Sequence, residues 1–201
     1  MDIAQKGKIT RRQEAIIVGS LLGDGYLDKN PYGSISLEIK QKSNHRDYIL
    51  WLWKELNNLC NKKPYQRTDN HQWRLLTKYD KKLQFYHQLF YKNRRKVIRK
   101  AIEKILTHPL SLAVWYMDDG TLDYRIHNHY AYRFATYCFS KKEHELLVKV
   151  LYKNFGLKVS IQTTKMRNKR QYRLYIGKNS RQKFEMLVRP YIVKSFRYKL
   201  P

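Results

Sequence analysis

The chain has 201 residues, 42% of them hydrophobic, so it can form one compact domain or two small halves with a common core, and disorder throughout is not expected. Its 42 lysines and arginines against 16 aspartates and glutamates give a net charge of +26, which predicts a polyanionic partner. Because the basic residues run from Lys6 to Lys199 among 17 tyrosines, nucleic acid is favoured over a membrane surface as the partner. The high aromatic content is unusual for a small ribosomal protein, which is the other class with such a charge.

In chain order, the first predicted element is an apolar helix over residues 16–24, which ends in Asp24-Gly25. Residues 34–40 alternate between polar and aliphatic side chains and therefore predict a β-strand with one buried face. The other elements predicted for the first half are a helix over 44–59, a hairpin with strands at 64–68 and 72–77, a helix over 80–91 and a basic tail at 93–97.

The second half repeats this order. A second apolar helix, over residues 111–119, ends in Asp119-Gly120. It is followed by a predicted strand at 132–139, a helix at 141–155, a hairpin with strands at 158–165 and 171–177 joined near 167–169, a helix at 180–188 and a basic tail at 195–199. The chain is thus predicted to be an α+β protein with the order α-β-β-α-β-β-α written twice. We expect an N-terminal half at residues 1–98, a linker at 99–110 and a C-terminal half at 111–201, forming one compact unit.

The predicted strands have one apolar and one polar face, so the polar face can contact a partner. A two-stranded β-ribbon fits the major groove of DNA, where Arg, Lys, Gln and Asn side chains bind base edges. A solvated outer sheet face is the alternative, and the net charge favours DNA binding. The candidate DNA-binding residues are Lys40, Lys42, Arg67, Arg74, Arg133, Lys165, Arg170 and Arg173.

The two apolar helices are expected to pack against each other. Gly19 and Gly23 lie four residues apart on one face of the first helix, where a second helix can approach closely, although Val114 stands in the second helix where the first has Gly19. Two helices packed side by side in this way would bring Asp24 and Asp119 together at their C-terminal ends.

A pair of carboxylates at facing helix C-termini is unfavourable, because the like charges and the negative helix ends all repel. A divalent cation resolves this, since Mg²⁺ favours carboxylate and carbonyl oxygens and is completed by water and phosphate. A single Asp-Gly pair would indicate only a turn. Two copies at equivalent repeat positions predict a metal centre for phosphodiester cleavage, with Mg²⁺ as the cofactor and Mn²⁺ as its substitute.

The two cysteines, Cys60 and Cys138, have no paired spacing, which excludes a disulfide framework and a zinc ribbon and fits a reducing compartment. No apolar run approaches the ~20 residues of a membrane span. Residues 1–12 are basic and lack the apolar core of a secretory signal. We therefore expect no membrane partner and no secretion, and a place in the cytoplasm or in a mitochondrion or chloroplast.

Residues 16–25 and 111–120 resemble the LAGLIDADG motifs of homing endonucleases, in the branch that carries both motifs in one chain. The likeness covers nearly the whole chain, through the repeat order to the closing residues 197–201. The sequence departs from the motif at Leu22 and Met117, which are apolar where the motif has its first aspartate, and at Val114, which replaces a glycine. These are helix-face positions, so the departures concern packing more than chemistry.

The resemblance implies two four-stranded antiparallel sheets that form a DNA-binding saddle around the two motif helices. Asp24 and Asp119 match the family's metal-binding acidic position. Gly23 and Asp118, which precede them, match positions whose backbone carbonyls can join the metal sites. The family also places a basic residue from each half near the scissile phosphates, a role that Lys96 and Lys199 match by position.

The expected function is therefore a monomeric, site-specific endonuclease in which each half hydrolyses one strand of a long asymmetric DNA site. By resemblance, the break leaves short 3′ overhangs and serves intron mobility. The alternative is a maturase of the same fold that binds a group I intron RNA, and a DNA-binding regulator without cleavage is a third possibility. Retention of both aspartates and both lysines favours cleavage.

Overall fold

The computed structural model describes residues 8–125, 129–166 and 169–201, with the backbone alone at 125, 166 and 169. The helices are α1 Arg11–Leu22, α2 Arg46–Leu56, α3 Gln84–Phe90, α4 Ile102–Ile105, α5 Pro109–Asp119, α6 Lys141–Phe155 and α7 Arg181–Val188. The strands are β1 Tyr26–Lys29, β2 Ile35–Gln41, β3 Tyr65–Gln66, β4 Trp73–Leu76, β5 Tyr91–Lys92, β6 Arg95–Lys96, β7 Gly120–Arg125, β8 His129–Phe134, β9 Ser160–Met166 and β10 Lys169–Ile176.

The strands form two four-stranded antiparallel sheets with the same internal order. One sheet has the order β1-β2-β4-β3 and the other has the order β7-β8-β10-β9. In each sheet, the strand after the motif helix pairs with the next strand along the chain, which in turn pairs with the last strand of a hairpin. The prediction of an α+β fold with two four-stranded antiparallel sheets is confirmed.

Local sequence signals account for the helix boundaries. Thr10 caps α1, and a capping box with Gln13 closes its first turn. Ser140 and Glu143 form the same kind of box at the start of α6, which ends at Gly156 in the left-handed conformation (φ 64°). The long helix predicted at 44–59 is present as α2 with a short 3-10 segment on each side.

The motif helices α1 and α5 lie side by side in the core. Every residue of α5 from Leu110 to Met117 is buried. The contact is close at Gly19, where a Cβ atom would stand 2.6 Å from the Ser111 carbonyl oxygen and 2.7 Å from the Val114 Cβ. The predicted packing of these two helices is therefore confirmed, and it depends on the missing side chain at Gly19. One hydrophobic cluster includes residues of both halves, from Ala15 to Leu200.

Several elements differ from the sequence prediction. The strand predicted at 132–139 ends at Phe134, because the Thr136 N–H donates back to the Phe134 carbonyl (2.9 Å) and the chain turns. The basic tail at 93–97 contributes β6, which pairs with β5 through a turn with Asn93 and Arg94 at positive φ. The predicted linker at 99–110 contains the short helix α4, with Ile102 buried. Residues 167 and 168 of the predicted hairpin connection lie outside the described residues.

Within the described part of the chain, none of the helices combines the length and apolar character needed to cross a membrane.

Candidate functional site

The C-terminal ends of α1 and α5 meet. Gly23 ends α1 and faces Asp118, since a Cβ atom at Gly23 would stand 2.5 Å from the Asp118 Cβ. The Asp24 N–H donates to the Asp118 carboxylate at 3.3 Å. Gly23 and Asp118 occupy equivalent positions of the two motifs, as do Gly19 and Val114. The two helices therefore approach each other along a local pseudo-twofold axis.

Two side chains from the N-terminal half hold the Asp118 carboxylate. The Tyr48 hydroxyl of α2 donates to Asp118 Oδ1 at 3.0 Å, and Gln41 Nε2, at the end of β2, donates to the same atom at 3.2 Å. Gln41 Nε2 also donates to Asp24 Oδ2 at 3.2 Å. Burial and the neighbouring charge of Asp24 raise the pKa of Asp118 well above its ordinary value. Asp118 thus joins the two halves through its side chain.

Asp119 carries the other motif carboxylate and is partly buried, whereas Asp24 is exposed. Burial and the charge of Asp24 raise the pKa of Asp119 to about 7, against the opposing effect of Lys96 and Lys199. A carboxylate at this position is therefore costly to ionise without a compensating cation.

Lys96 and Lys199 lie at the ends of their own motif helices. Lys96 Nζ donates to the Gly23 carbonyl oxygen at 2.5 Å. Lys199 is 7% exposed, and its Nζ donates to the carbonyl oxygens of Met117 (2.7 Å) and Tyr116 (3.3 Å). Burial lowers the pKa of Lys96, and it lowers that of Lys199 to about 8, although nearby aspartates oppose both shifts. The structure thus brings the four predicted catalytic residues to one place.

The oxygen atoms at this place suit a hard divalent cation. They are the carboxylates of Asp24 and Asp119 and the backbone carbonyls of Gly23 and Asp118, which are ligands of the kind that Mg²⁺, Mn²⁺ and Ca²⁺ take. Across the described residues, no three His, Cys, Asp or Glu side chains are arranged to hold a metal ion by themselves. Because Mg²⁺ commonly binds one or two carboxylates and is completed by water and substrate phosphate, the residues present fit such a cation.

Carboxylates hold several of the candidate DNA-binding residues on the sheets. Glu38 of β2 forms ion pairs with Lys40 (3.1 Å) and with Arg74 of β4. Arg133 of β8 is paired with Asp123 of β7 in the same way.

Two further candidates lie in loops. Arg67, after β3, is paired with Asp69 (2.5 Å), and Lys42 is exposed just beyond β2. Such pairs fix the direction of long basic side chains before a partner arrives.

The candidates on β9 and β10 lie on two different faces. Leu174 and Ile176 point into the core, so Arg173 points to the opposite face, where its Nε donates to Gln162 (3.0 Å). Arg170 shares the face of Leu174 by alternation, and Lys165 is paired directly with Arg170. With Lys92, Arg95 and Lys96, Arg170 lines a cavity of about 530 Å³ between the halves.

The comparisons with known proteins agree with the observed fold. The sequence profile described as the LAGLIDADG DNA endonuclease family matches residues 14–184. The chain belongs to this family. Its fold and its two LAGLIDADG helices are thus those of a DNA endonuclease family, as the motif resemblance predicted.

Relatives of known sequence include both maturases and endonucleases. A Saccharomyces cerevisiae protein named cytochrome b mRNA maturase bI2 is 31% identical over 92% of this chain. The chain spans only 46% of that relative's length. The DNA endonuclease I-ChuI of Chlamydomonas applanata is 27% identical, over 96% of this chain and 95% of its own.

Among solved structures, the homing endonuclease I-WcaI bound to its DNA recognition sequence is similar, with a TM-score of 0.84 and 26% identity over 96% of this chain and 88% of that one. I-DmoI in complex with DNA and Mn has a TM-score of 0.51 at 18% identity, over 89% of this chain and 96% of that one, which shows the shared LAGLIDADG fold alone.

Sequence reasoning missed Gln41 and Tyr48, which contact the LAGLIDADG carboxylates. Gln41 had a usable signal, because it continues the buried alternation of Ile35, Leu37 and Ile39 with a polar side chain. Tyr48 had none, since an aromatic residue on the buried face of a helix usually belongs to the core.

Proposed function

We propose that this chain is a site-specific double-strand DNA endonuclease that hydrolyses both strands of a long asymmetric target and leaves short 3′ overhangs. The observation that carries the proposal is the convergence of Asp24, Asp119, Lys96 and Lys199 on the paired ends of α1 and α5. Membership of a DNA endonuclease family and the similarity to a DNA-bound homing endonuclease support it.

In this proposal, one monomer binds the whole target. Residues 1–98 and 111–201 form the two halves, joined by the linker 99–110, and their sheets form a saddle on the DNA. Arg74 of β4 and Arg133 of β8 are each held by a carboxylate on the neighbouring strand, and they are candidates for base contacts in the two half-sites. The intron-encoded relatives support a role in intron mobility. The proposed location is the cytoplasm, a mitochondrion or a chloroplast.

Asp24 and Asp119 would hold divalent cations, Mg²⁺ or Mn²⁺, together with the carbonyls of Gly23 and Asp118. When bound, such cations supply positive charge at the attacking and leaving oxygens of phosphodiester hydrolysis. Lys96 and Lys199 would each place a positive charge beside one scissile phosphate and orient the attacking water. Solved structures of I-DmoI with Mn and with Mg support divalent metal use.

The test is a cleavage selection on a randomised plasmid library in Mg²⁺, with sequencing of the linear ends. Discrete sites with short 3′ overhangs are expected, and they should be lost in Ca²⁺ and in Asp119→Asn. Asp24→Asn and Asp119→Asn should each abolish breakage and leave DNA binding largely intact. Unfolding of both variants would instead show that these carboxylates are structural.

A maturase is the second candidate, because two relatives that this chain matches at 31% and 29% identity are named cytochrome b mRNA maturases. A maturase would bind a structured group I intron RNA and accelerate its splicing. Splicing assays with and without the protein distinguish the two functions. Binding of intron RNA with faster splicing and without any DNA cleavage would replace the endonuclease proposal.

A further inference from the structure

Lys96 lies on a segment that is hydrogen-bonded to the other half of the molecule. This segment, residues 93–98, is here called the N-strap. Its Val97 N–H donates to the Phe90 carbonyl (2.8 Å) in its own half. One residue later, the Ile98 N–H donates to Glu143 Oε1 (2.7 Å) on the first turn of α6, in the C-terminal half.

The Glu143 carboxylate is held in one orientation. Its other oxygen, Oε2, accepts from both the N–H and the hydroxyl of Ser140, each at 2.7 Å. The helix cap therefore fixes the acceptor that the N-strap uses. Because Lys96 is two residues from Ile98, loss of this acceptor would release the end of the N-strap next to the lysine.

Lys199 lies on the equivalent segment of the C-terminal half, which is hydrogen-bonded to the N-terminal half. This C-strap is the 3-10 helix Lys194–Lys199. Its Ser195 N–H donates to Asp47 Oδ2 (3.0 Å) on the first turn of α2, in the N-terminal half. The other oxygen of Asp47 accepts from the Tyr48 N–H (2.8 Å), which orients this carboxylate as well.

Ring contacts continue from the Asp47 anchor to the lysine. Phe196 stacks on His45 with 4.1 Å between ring centroids and meets Tyr48 edge-on at 5.1 Å. Lys199 Nζ lies 4.8 Å from the centroid of Phe196. The C-strap is thus held on α2 by one charged hydrogen bond and by the aromatic packing of Phe196, whose ring also contacts Lys199.

The helices α2 and α6 are equivalent elements of the repeat, and each carries a first-turn carboxylate that holds the strap of the other half. We propose that Glu143 and Asp47 are positioning residues, so that the lysine serving each DNA strand depends on an anchor in the opposite half. This inference rests on the proposed endonuclease function. Its consequence is strand-specific, because Glu143 acts through Lys96 and Asp47 acts through Lys199.

The experiment follows the two strands separately on a plasmid that carries a selected target, under single-turnover conditions in Mg²⁺, with denaturing gels that resolve each strand. Lys96→Met and Lys199→Met identify the strand that each lysine serves. Glu143→Ala should then slow the same strand as Lys96→Met, by about 10- to 100-fold relative to the other strand. Asp47→Ala should slow the strand affected by Lys199→Met, so that each variant accumulates plasmid nicked in one strand.

Matched variants separate positioning from stability. Glu143→Gln and Asp47→Asn keep an oxygen acceptor for the straps and should restore most of the strand balance. Ser140→Ala removes the hydroxyl of the α6 cap but keeps the Ser140 N–H on Glu143 Oε2 and the acceptor of Ile98, so it should cause a much smaller strand bias than Glu143→Ala. Equal slowing of both strands in Glu143→Ala and Asp47→Ala, or a bias in Ser140→Ala as large as in Glu143→Ala, would overturn the inference. A wild-type protein that cuts neither strand would instead refute the proposed function.

Discussion

Tyr116 and Lys199 are joined by two reciprocal hydrogen bonds. The Tyr116 hydroxyl donates to the Lys199 carbonyl at 2.7 Å, and Lys199 Nζ donates to the Tyr116 carbonyl at 3.3 Å. Both residues are buried. The side chain of each residue is therefore bound to the backbone of the other, which fixes the last turn of the chain against the motif helix.

The first prediction concerns Tyr116→Phe. The substitution keeps the ring but leaves the Lys199 carbonyl without the donor, which costs about 1–3 kcal/mol for a buried acceptor. We expect cleavage of the strand served by Lys199 to slow by roughly tenfold, with DNA binding retained. Rates on both strands check this, and Tyr132→Phe is the matched control, because its hydroxyl donates to Glu185 instead. An equal effect of both variants would contradict the prediction.

The second prediction concerns Asp119 and pH in the absence of metal. Because the pKa of Asp119 is raised to about 7 in the folded state, the folded state binds this proton more tightly than the unfolded state, whose pKa is about 4. The contribution of Asp119 to the free energy of unfolding is fully present below about pH 4 and is lost as the pH rises through 7. Asp119→Asn should therefore be more stable than the wild type at pH 8, by about 4 kcal/mol for three pKa units, and close to it in stability near pH 4.

Thermal unfolding in EDTA from pH 4 to pH 8 measures this difference, which corresponds to roughly 8–16 °C in Tm at pH 8. Added Mg²⁺ should raise the Tm of the wild type more than that of Asp119→Asn, because a ligand stabilises the state that binds it. Glu145→Gln, at an exposed site on α6, is the control for loss of a carboxylate. A variant no more stable than the wild type at pH 8 would disprove the prediction.

The third prediction concerns Gly19→Ala. Helix propensity alone favours alanine by about 1 kcal/mol. The added Cβ would stand 2.6 Å from the Ser111 carbonyl oxygen and 2.7 Å from the Val114 Cβ, so the motif helices must separate. We expect a net loss of about 1–3 kcal/mol, measured by urea unfolding.

The matched test for Gly19→Ala is the double variant with Val114→Gly. It should be less destabilised than the sum of the two single variants, because one of the two clashes is removed. Arg11→Ala, at an exposed position of the same helix, should change stability little. Strict additivity would show that the contact does not limit the approach of the helices.

The fourth prediction compares Arg173→Ala with Arg170→Ala. Arg173 lies on the outward face of β10, whereas Arg170 lies on the other face and lines the cavity beside Lys96. Arg173→Ala should relax base preference at one or two positions of the target, by about 1–3 kcal/mol. Arg170→Ala should weaken binding for all sequences and lower the salt slope of log K by about 1. Binding titrations in Ca²⁺ against single-base variants of the target distinguish the two, and identical profiles would contradict the assignment of faces.

Much of the fold was predictable because its signals are local. The capping residues Ser140 and Glu143 mark the start of α6 within one residue, and the alternation around Leu37 marks β2. The repeat then supplied the order of the other elements. The β5–β6 pairing was not predictable, because Asn93 and Arg94 must both take positive φ, which asparagine favours but arginine does not.

The candidate site was predictable only in part. The positions of Asp24 and Asp119 follow from the repeated motif, but the environment of Asp118 depends on Gln41 and Tyr48, which lie 77 and 70 residues away in the chain. The face occupied by Arg170 likewise depends on strand register, where a shift of one residue exchanges the two faces.

The contact between Gly19 and Val114 also limits which halves can pair. Two copies of the first half would set glycine against glycine and leave a gap, and two copies of the second half would set valine against valine where the space admits only one side chain. In a pair of second halves, the equivalent contact at Gly23 and Asp118 would place two partly buried carboxylates against each other. The halves are therefore complementary and not interchangeable, so self-assembly of either half expressed alone is disfavoured.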